Sequence, residues 1–247
     1  MSIVPFPTYE KDNVTLTVTG IGKVSMAAGV AFIHQLVGGI PNTAWLNVGI
    51  AGHQNHPVGS AFIAHKITDA DTEKCWYPPR PFIAPCKSEV INTLSMPLAG
   101  YPETCLYDME ASAFYEIATR FSTGELVQCL KIVSDNTANP AENISSRHAS
   151  TIVEAHLQTI DALLHKQQRL AEIINPDQPG WYSLACKTWR FTHNEKIQLK
   201  EIARRWQVLS PNDPPKLDEF PKSHNGKQIL GLLKTHIKTQ QMNLSFG

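Results

Sequence analysis

Cys129-Leu130-Lys131-Ile132-Val133-Ser134-Asp135-Asn136 is an apolar run that delivers a Ser-Asp pair to its C-terminal end. Active sites of open α/β sheets lie at such strand ends. A carboxylate there stands between a dry core and a cleft, so desolvation can raise its pKa and keep it protonated near neutral pH. That is the state a general acid needs. The same pair also reads as an ordinary turn or helix cap, and two earlier segments bear on the choice. Around the run, the spacing predicts a strand over Leu126 to Val133 between two helices. Met109 to Phe121 turns Ala113, Phe114, Ile117 and Phe121 inward, and Asn143 to Leu170 reads as one long helix striped by Val153, Leu157, Ile160 and Leu164.

The alternation continues toward the N-terminus. Asn13 to Thr19 is β-branched and alternating, hence a strand. Gly20-Ile21-Gly22-Lys23 is a tight turn, and Val24 to Val37 has helical spacing with Val24, Ala28, Ala31, Phe32 and Leu36 near one face. Ala44 to Val48 predicts a strand followed by Gly49-Ile50-Ala51-Gly52, and Ser60 to Ile67 another. Residues 74–90 hold too many prolines for a regular element. Val90 to Ser95 and Thr104 to Tyr107 are further strand candidates. Strands alternating with helices imply a mixed or mostly parallel sheet covered on both faces. Near Asn175-Pro176-Asp177-Gln178-Pro179-Gly180 the character changes, which divides the chain into residues 1–174 and a C-terminal extension, 175–247. The extension predicts helices around Asn194 to Trp206 and Lys227 to Lys238. It holds Trp181, Trp189 and Trp206, too many large apolar groups for disorder. It reads as a helical cap or as a docking element.

Bulk properties narrow the class. Lys plus Arg (22) equals Asp plus Glu (22), so nothing in the whole-chain charge points to nucleic acid. The five cysteines are scattered with no CxxC pair, which fits free thiols in a reducing cytoplasm. No apolar run is long enough to cross a bilayer, and MSIVPFPTYEKD lacks the order of a signal peptide. A soluble cytoplasmic protein is expected. His53, His56 and His65 have proline and glycine between them and no fourth ligand at helical or hairpin spacing. They read as solvated loop histidines, and no metal is expected.

Three stretches carry a resemblance. They are Thr19-Gly20-Ile21-Gly22-Lys23-Val24 before a small-residue helix, Asn47-Val48-Gly49-Ile50-Ala51-Gly52, and Asp108-Met109-Glu110-Ala111-Ser112 with Ser134-Asp135 downstream. In this order they resemble the purine nucleoside phosphorylase/nucleosidase superfamily, and most of all its methylthioadenosine/S-adenosylhomocysteine nucleosidase branch. The resemblance runs from about Asn13 to Leu170. It implies a three-layer α/β fold, a central mixed sheet flanked by helices. It implies Asp135 as the acid that protonates the departing purine and Glu110 as the carboxylate that binds ribose and favours oxocarbenium-like charge. It also implies that Met109 packs on the sugar, that Ser134 orients Asp135, and that Ile50, Gly52 and Lys131 stand at substrate-binding positions. Thr93 to Pro97 would line the base pocket. The family implies no cofactor, a small nucleoside as ligand, and self-association. Without the resemblance, Asp108 reads as a helix N-cap and Glu110 as a first-turn charge.

The departures set the subclass. Phosphorylases of this superfamily carry an arginine and a serine where this chain has Asn47 and Ile50, and neither replaces a bidentate cation. Asn47 matches the nucleosidases, in which water attacks; Ile50 does not. Lys131 stands where they have arginine, and reads either as a partner of Glu110 or as a snorkelling edge residue. The family's opening strand, whose acidic end activates the water, has no match; only Glu10 and Asp12 precede the first matched strand. Three functions follow: a nucleosidase acting on a purine nucleoside or thionucleoside, a nucleoside-binding or scaffolding protein with reduced catalysis, and a phosphate-dependent phosphorylase.

Overall fold

The computed structural model describes residues 5–98, 100–140, 145–174 and 178–245. The chain forms two compact units, Met1–Ile174 and Asn175–Gly247.

Unit 1 is built on a mixed sheet. Its strands are β3 (Trp45–His53), β4 (Ala61–Asp69), β5 (Cys75–Trp76), β6 (Lys87–Thr93), β7 (Leu106–Asp108) and β8 (Val127–Asn136), in the order β5-β4-β6-β7-β3-β8. β8 runs parallel to β3 and also pairs antiparallel with β4 through Ala61 to Ile63. The strands from β4 round to β8 therefore close on one another, and all ten residues of β8 are buried. Helices cover both faces. On one side α1 (Lys23–Leu36) and α2 (Ala111–Ala118) pack Met26, Val30, Phe114 and Ala118 against Trp45, Ala51, Cys129 and Val133. On the other, α4 (Leu157–Ile174) packs Ile160 and Leu163 against Leu46, Val48, Ile63 and Leu130.

Several sequence expectations are corrected. The strand at Asn13–Thr19 forms, as β2 (Val14–Thr17), but it joins β1 (Thr8–Lys11) in a separate two-stranded hairpin, turning at Asp12 with φ 52. Helix α1 buries Met26, Gly29 and Val30, whereas Val24 is 85% exposed and Leu36 47%. Its rotation follows from Gly29, since a Cβ there would run into the Thr19 side chain, so the glycine face is the one that can approach closely. The glycines after Val48 do not end a strand: β3 continues through Gly49 and Gly52 to His53. Bare positions are needed there, because a Cβ on Gly49 would meet Lys131 Nζ and one on Gly52 would overlap Tyr101.

The long C-terminal helix of unit 1 is two helices, α3 (Ser146–Glu154) and α4; Asn143 and Ile144 lie outside the described residues. At the break, His156 Nε2 bonds the Gly59 carbonyl at 2.7 Å. The expected stripe is also displaced, with Leu157 58% exposed and Leu163 and Gln167 buried. Gln167 is a polar residue on this buried face. Its amide, however, donates to the Trp45 and Leu126 carbonyls at 2.9 and 3.1 Å, satisfying acceptors that burial would otherwise strand.

Unit 2 holds α5 (Gly180–Thr188), α6 (His193–Leu209) and α7 (Gly226–Ser245). Thr192 and Glu195 form a capping box that starts α6. Its core gathers Trp181, Trp189, Phe191, Trp206, Leu217 and Ile229. Asn175–Asp177, where the sequence places the boundary, lie outside the described residues. Among the described residues no helix is long and apolar enough to cross a membrane.

Candidate active site

Strand registry lines up the candidate groups. Asp135 on β8 stands beside Gly52 on β3, and Gly52 beside Tyr107 on β7. Two strand spacings of ~4.8 Å put Asp135 and Tyr107 about 10 Å apart along the sheet, with Asp108, Met109 and Glu110 following Tyr107. Ser134 is the residue at which the β3–β8 register shifts, between pairs Ala51–Val133 and Gly52–Asp135. Such a bulge re-aims side chains at a strand end.

Ser134 and Asp135 lie inside β8, both buried. Ser134 Oγ donates to Asp135 Oδ1 at 2.5 Å and stands 3.3 Å from the Ala51 carbonyl. Burial pushes the Asp135 carboxyl above its usual range. The hydroxyl favours the anion, and desolvation outweighs it. With Oδ1 occupied by Ser134, Oδ2 is the oxygen left to carry a proton.

Glu110 belongs to a second group. Its Oε1 accepts the Gly22 backbone N–H at 2.8 Å, which ties it to the glycine turn ahead of α1 across 88 residues of sequence. That turn needs Gly20 and Gly22, both at positive φ. Its Oε2 lies 3.8 Å from Lys131 Nζ. Lys131 is 1% exposed and its closer partner is Asp108, at 2.8 Å. It is no edge residue, since β8 has neighbours on both sides. Burial alone would lower the lysine, but the Asp108 and Glu110 charges and the Asp108 hydrogen bond outweigh it and hold the ammonium above its usual value. Asp108 also accepts from Thr93 Oγ1 (2.7 Å) and from the N–H groups of Ala111 (2.8 Å) and Glu110 (3.2 Å). The N-cap residue of α2 is Glu110 rather than Asp108, which stands two residues earlier, bonds the first helical N–H and also neutralises Lys131. Glu110 is not a free first-turn charge.

A third cluster braces the second. Asp69, ending β4, pairs with Lys23 at 2.6 Å, accepts Ser112 Oγ at 2.7 Å and accepts from Thr72. Burial would raise this carboxyl, but Lys23, Ser112 and Thr72 together hold it well below the usual range. Lys23 follows Gly22 and Ser112 lies two residues past Glu110, so Asp69 fixes both neighbours of the Gly22–Glu110 contact. Lys23 also pairs with Asp71, which in turn bonds Ser95. Sequence reading passed over Asp69, although a Thr-Asp-Ala-Asp run ending an apolar strand is the signal that marks it.

The remaining candidates add no charge to these groups. Met109 is half-buried beside Asp108 and Glu110. Ile50 pairs in register with Ile132, and Asn47 is buried with its Nδ2 4.0 Å from Met26 Sδ. Neither brings a cation to the second segment. Gly52 lies under Tyr101, whose ring stands 5.5 Å from that of Tyr107. Cys129 is buried in the core, and burial raises its thiol far above the usual value.

His53 corrects another expectation. It is 3% exposed, stacks on His56 at 3.9 Å, and with His56 and Glu89 offers ligand atoms within 4.8 Å of one another. Its Nδ1 accepts the N–H groups of Asn55 and His56 at 3.0 and 2.9 Å. That fixes the proton on Nε2, which is buried without a partner among the described residues. A metal-bound histidine shows the reverse pattern, donating from the nitrogen that does not bind. Burial, and then His56, lower the His53 pKa. The trio is a locked neutral histidine beside a His56–Glu89 contact of 3.3 Å.

With this geometry in view, the comparisons with known proteins concern fold. No protein-family model matches the chain, and no curated protein matches it. Solved structures do. An MTA/SAH nucleosidase from Colwellia psychrerythraea, in complex with adenine, is similar at 13% identity over 63% of this chain and 87% of that one, with TM-score 0.46. The Campylobacter jejuni enzyme is similar at 13% identity over 65% and 90%, with TM-score 0.48. The one from S. pneumoniae, with the transition-state inhibitor MT-ImmA, gives 21% over 60% and 81%, with TM-score 0.43. The likeness is one of fold.

Proposed function

We propose that the protein is a nucleosidase that hydrolyses the N-glycosidic bond of a purine nucleoside or thionucleoside. The observation that carries the reading is Asp135: a buried carboxyl raised by desolvation and bonded by Ser134 on one oxygen. As the C–N bond lengthens, negative charge builds on the purine and positive charge on the ribose. The proton on Asp135 Oδ2 passes to a ring nitrogen of the leaving base. Glu110, held between the Gly22 N–H and Lys131, takes the ribose hydroxyls and stabilises the oxocarbenium-like charge. Water then adds at the anomeric carbon and releases its proton to solvent, from which the Asp135 carboxylate regains the proton that it gave to the base. No cofactor enters these steps.

A second reading is supported by one feature of the same site. Asp108 is occupied by Lys131, Thr93 and two backbone N–H groups, and Glu110, which accepts the Gly22 N–H and faces Lys131, is given to the ribose. That leaves neither to activate a water, which favours slow turnover or a nucleoside-binding role. Phosphorolysis is the least supported reading, because neither Asn47 nor Ile50 offers phosphate a cation.

The test is release of adenine or hypoxanthine from a panel of purine nucleosides, with and without phosphate. We expect phosphate-independent release, with Asp135→Asn lowering kcat by about 10²-fold or more. Equal rates in the two proteins would remove Asp135 from the mechanism. Thermal stabilisation by a nucleoside without product would establish the binding role instead.

A further inference from the structure

The chain is neutral as a whole, but its two units are not. Residues 1–174 hold 11 Lys and Arg against 16 Asp and Glu, and residues 175–247 hold 11 against 6. Unit 2 therefore carries an excess of basic charge that the total conceals, and segregation of this kind marks a polyanion-binding part of a chain.

The excess is organised on one face. A groove of about 390 Å³ runs between α6 and α7, with Arg205 on one wall and Lys234 and Lys238 on the other. Ile202 and Ile237 form its floor and are both 4% exposed. Lys227, Lys234 and Lys238 are seven and four residues apart, so they share one side of α7. At 1.5 Å per residue they span about 16 Å along the helix axis. Lys234 Nζ donates to Gln198 Oε1 at 2.9 Å, and among the described residues Arg205, Lys227, Lys234 and Lys238 make no ion pair. The acid in the groove is Glu201. Exposed cations that outnumber the neighbouring acid and are not ion-paired raise the local potential and draw a partner of opposite charge.

We propose that the α6–α7 groove of unit 2 binds the phosphate backbone of a nucleic acid. A row of cations ~16 Å long matches about five phosphate steps at 3.4 Å each along one strand of a duplex. A membrane surface fits less well, since the apolar residues of this groove are its buried floor and offer no anchor to lipid. Contact is to phosphates alone, so binding is independent of base sequence.

The experiment is fluorescence anisotropy of a labelled ~20-bp DNA duplex with the full chain, between about 50 and 200 mM NaCl. Four contacts predict that log K falls with log salt at a slope of about −3.6. The variant Arg205→Gln/Lys227→Gln/Lys234→Gln/Lys238→Gln should lose at least about tenfold in affinity at low salt, with its slope near zero. Lys196→Gln/Lys200→Gln, on the other side of α6, should bind within about twofold of wild type. Circular dichroism checks folding; if the fourfold variant unfolds, Arg205→Gln alone should reduce the slope by about one. Absence of wild-type binding at low salt, a slope near zero, or equal losses in both variants would overturn the proposal. So would poly-glutamate competing as well as DNA at equal charge, which would assign the groove to an acidic protein.

Discussion

Replacing Lys131 by methionine keeps most of the side-chain volume and removes the charge inside the sheet. The ammonium sits 2.8 Å from Asp108, and both side chains are essentially inaccessible, at 1% and 0%. At an effective dielectric of about 20, that separation is worth ~6 kcal/mol of attraction, most of which offsets the desolvation of the two ions. Breaking such a pair from one side strands the other charge and typically costs ~3–5 kcal/mol. Asp108 keeps the Thr93 hydroxyl and two backbone N–H groups as donors, so the low end applies, about 3 kcal/mol. Asp108→Asn should cost a similar amount. The double variant should lose about 3–4 kcal/mol rather than ~6, a coupling of about 2–3 kcal/mol. The readout must be local, since Trp181, Trp189 and Trp206 of unit 2 would dominate fluorescence. Native-state amide exchange of the β8 peptide, residues 127–136, reports unit 1 directly. The Lys131 pKa is raised on folding, so its contribution is fully present below the unfolded lysine pKa and is lost only as pH rises through the folded one. The cycle should therefore read the same at pH 6 and pH 8. Additive single costs, or Lys131→Met within about 1 kcal/mol of wild type, would refute the buried-pair argument.

Asp69 has a depressed pKa, so its stabilisation is present above the unfolded carboxylate value and lost as pH falls through the folded one. Asp69→Asn should cost about 1–3 kcal/mol at pH 7, and the gap to wild type should shrink on acidification, as followed by urea titrations from pH 7 to pH 3. Asp135 shifts the other way, so the general-acid form is lost as pH rises through its elevated pKa. Nucleoside cleavage should fall along that limb, and a kcat profile with no descending limb above the ordinary carboxylate range would count against the acid role. Gly52→Ala should cost about 1–3 kcal/mol by displacing Tyr101, and most of this should return in a Tyr101→Ala background; thermal denaturation decides it. Gln167→Leu strands two buried carbonyls and should cost about 2–4 kcal/mol in chemical denaturation.

Strands were legible where apolar residues persist, as in β4 and β8, because burial leaves a nearly continuous apolar signature. β5 and the start of β6 were not, since Cys75–Trp76 and Lys87 to Val90 fall within residues 74–90, whose prolines argued against any regular element. Helix faces were less legible. In α1 the decisive residue is Gly29, whose value is what it lacks, and no hydrophobicity pattern ranks a glycine as the close-packing position. In α4 it is Gln167, polar by composition and buried because two carbonyls wait for its amide. At the site, the Ser134–Asp135 pair and Glu110 stood out as local motifs. The partners of Glu110 did not, since Gly22 is 88 residues away in sequence. His53 was misread because loop composition suggested solvent, while β3 runs on past Val48, where the glycines implied an end, as far as His53 itself.

The sequence by itself determined which groups this protein can use: a Ser-Asp pair ending an apolar strand, an Asp-Met-Glu segment opening a helix, glycines at the first turn, and tryptophans enough to make the tail fold. Composition and spacing carry that information because they act within a few residues. Only the tertiary structure decided how those groups are charged and held. Lys131 belongs first to Asp108, Glu110 to a backbone N–H, and Asp69 holds the residues flanking that N–H contact, because each bond joins strands and turns far apart in the chain. Such pairings follow from closing the sheet, which brings distant ionic groups into a shared dry interior where they must satisfy one another.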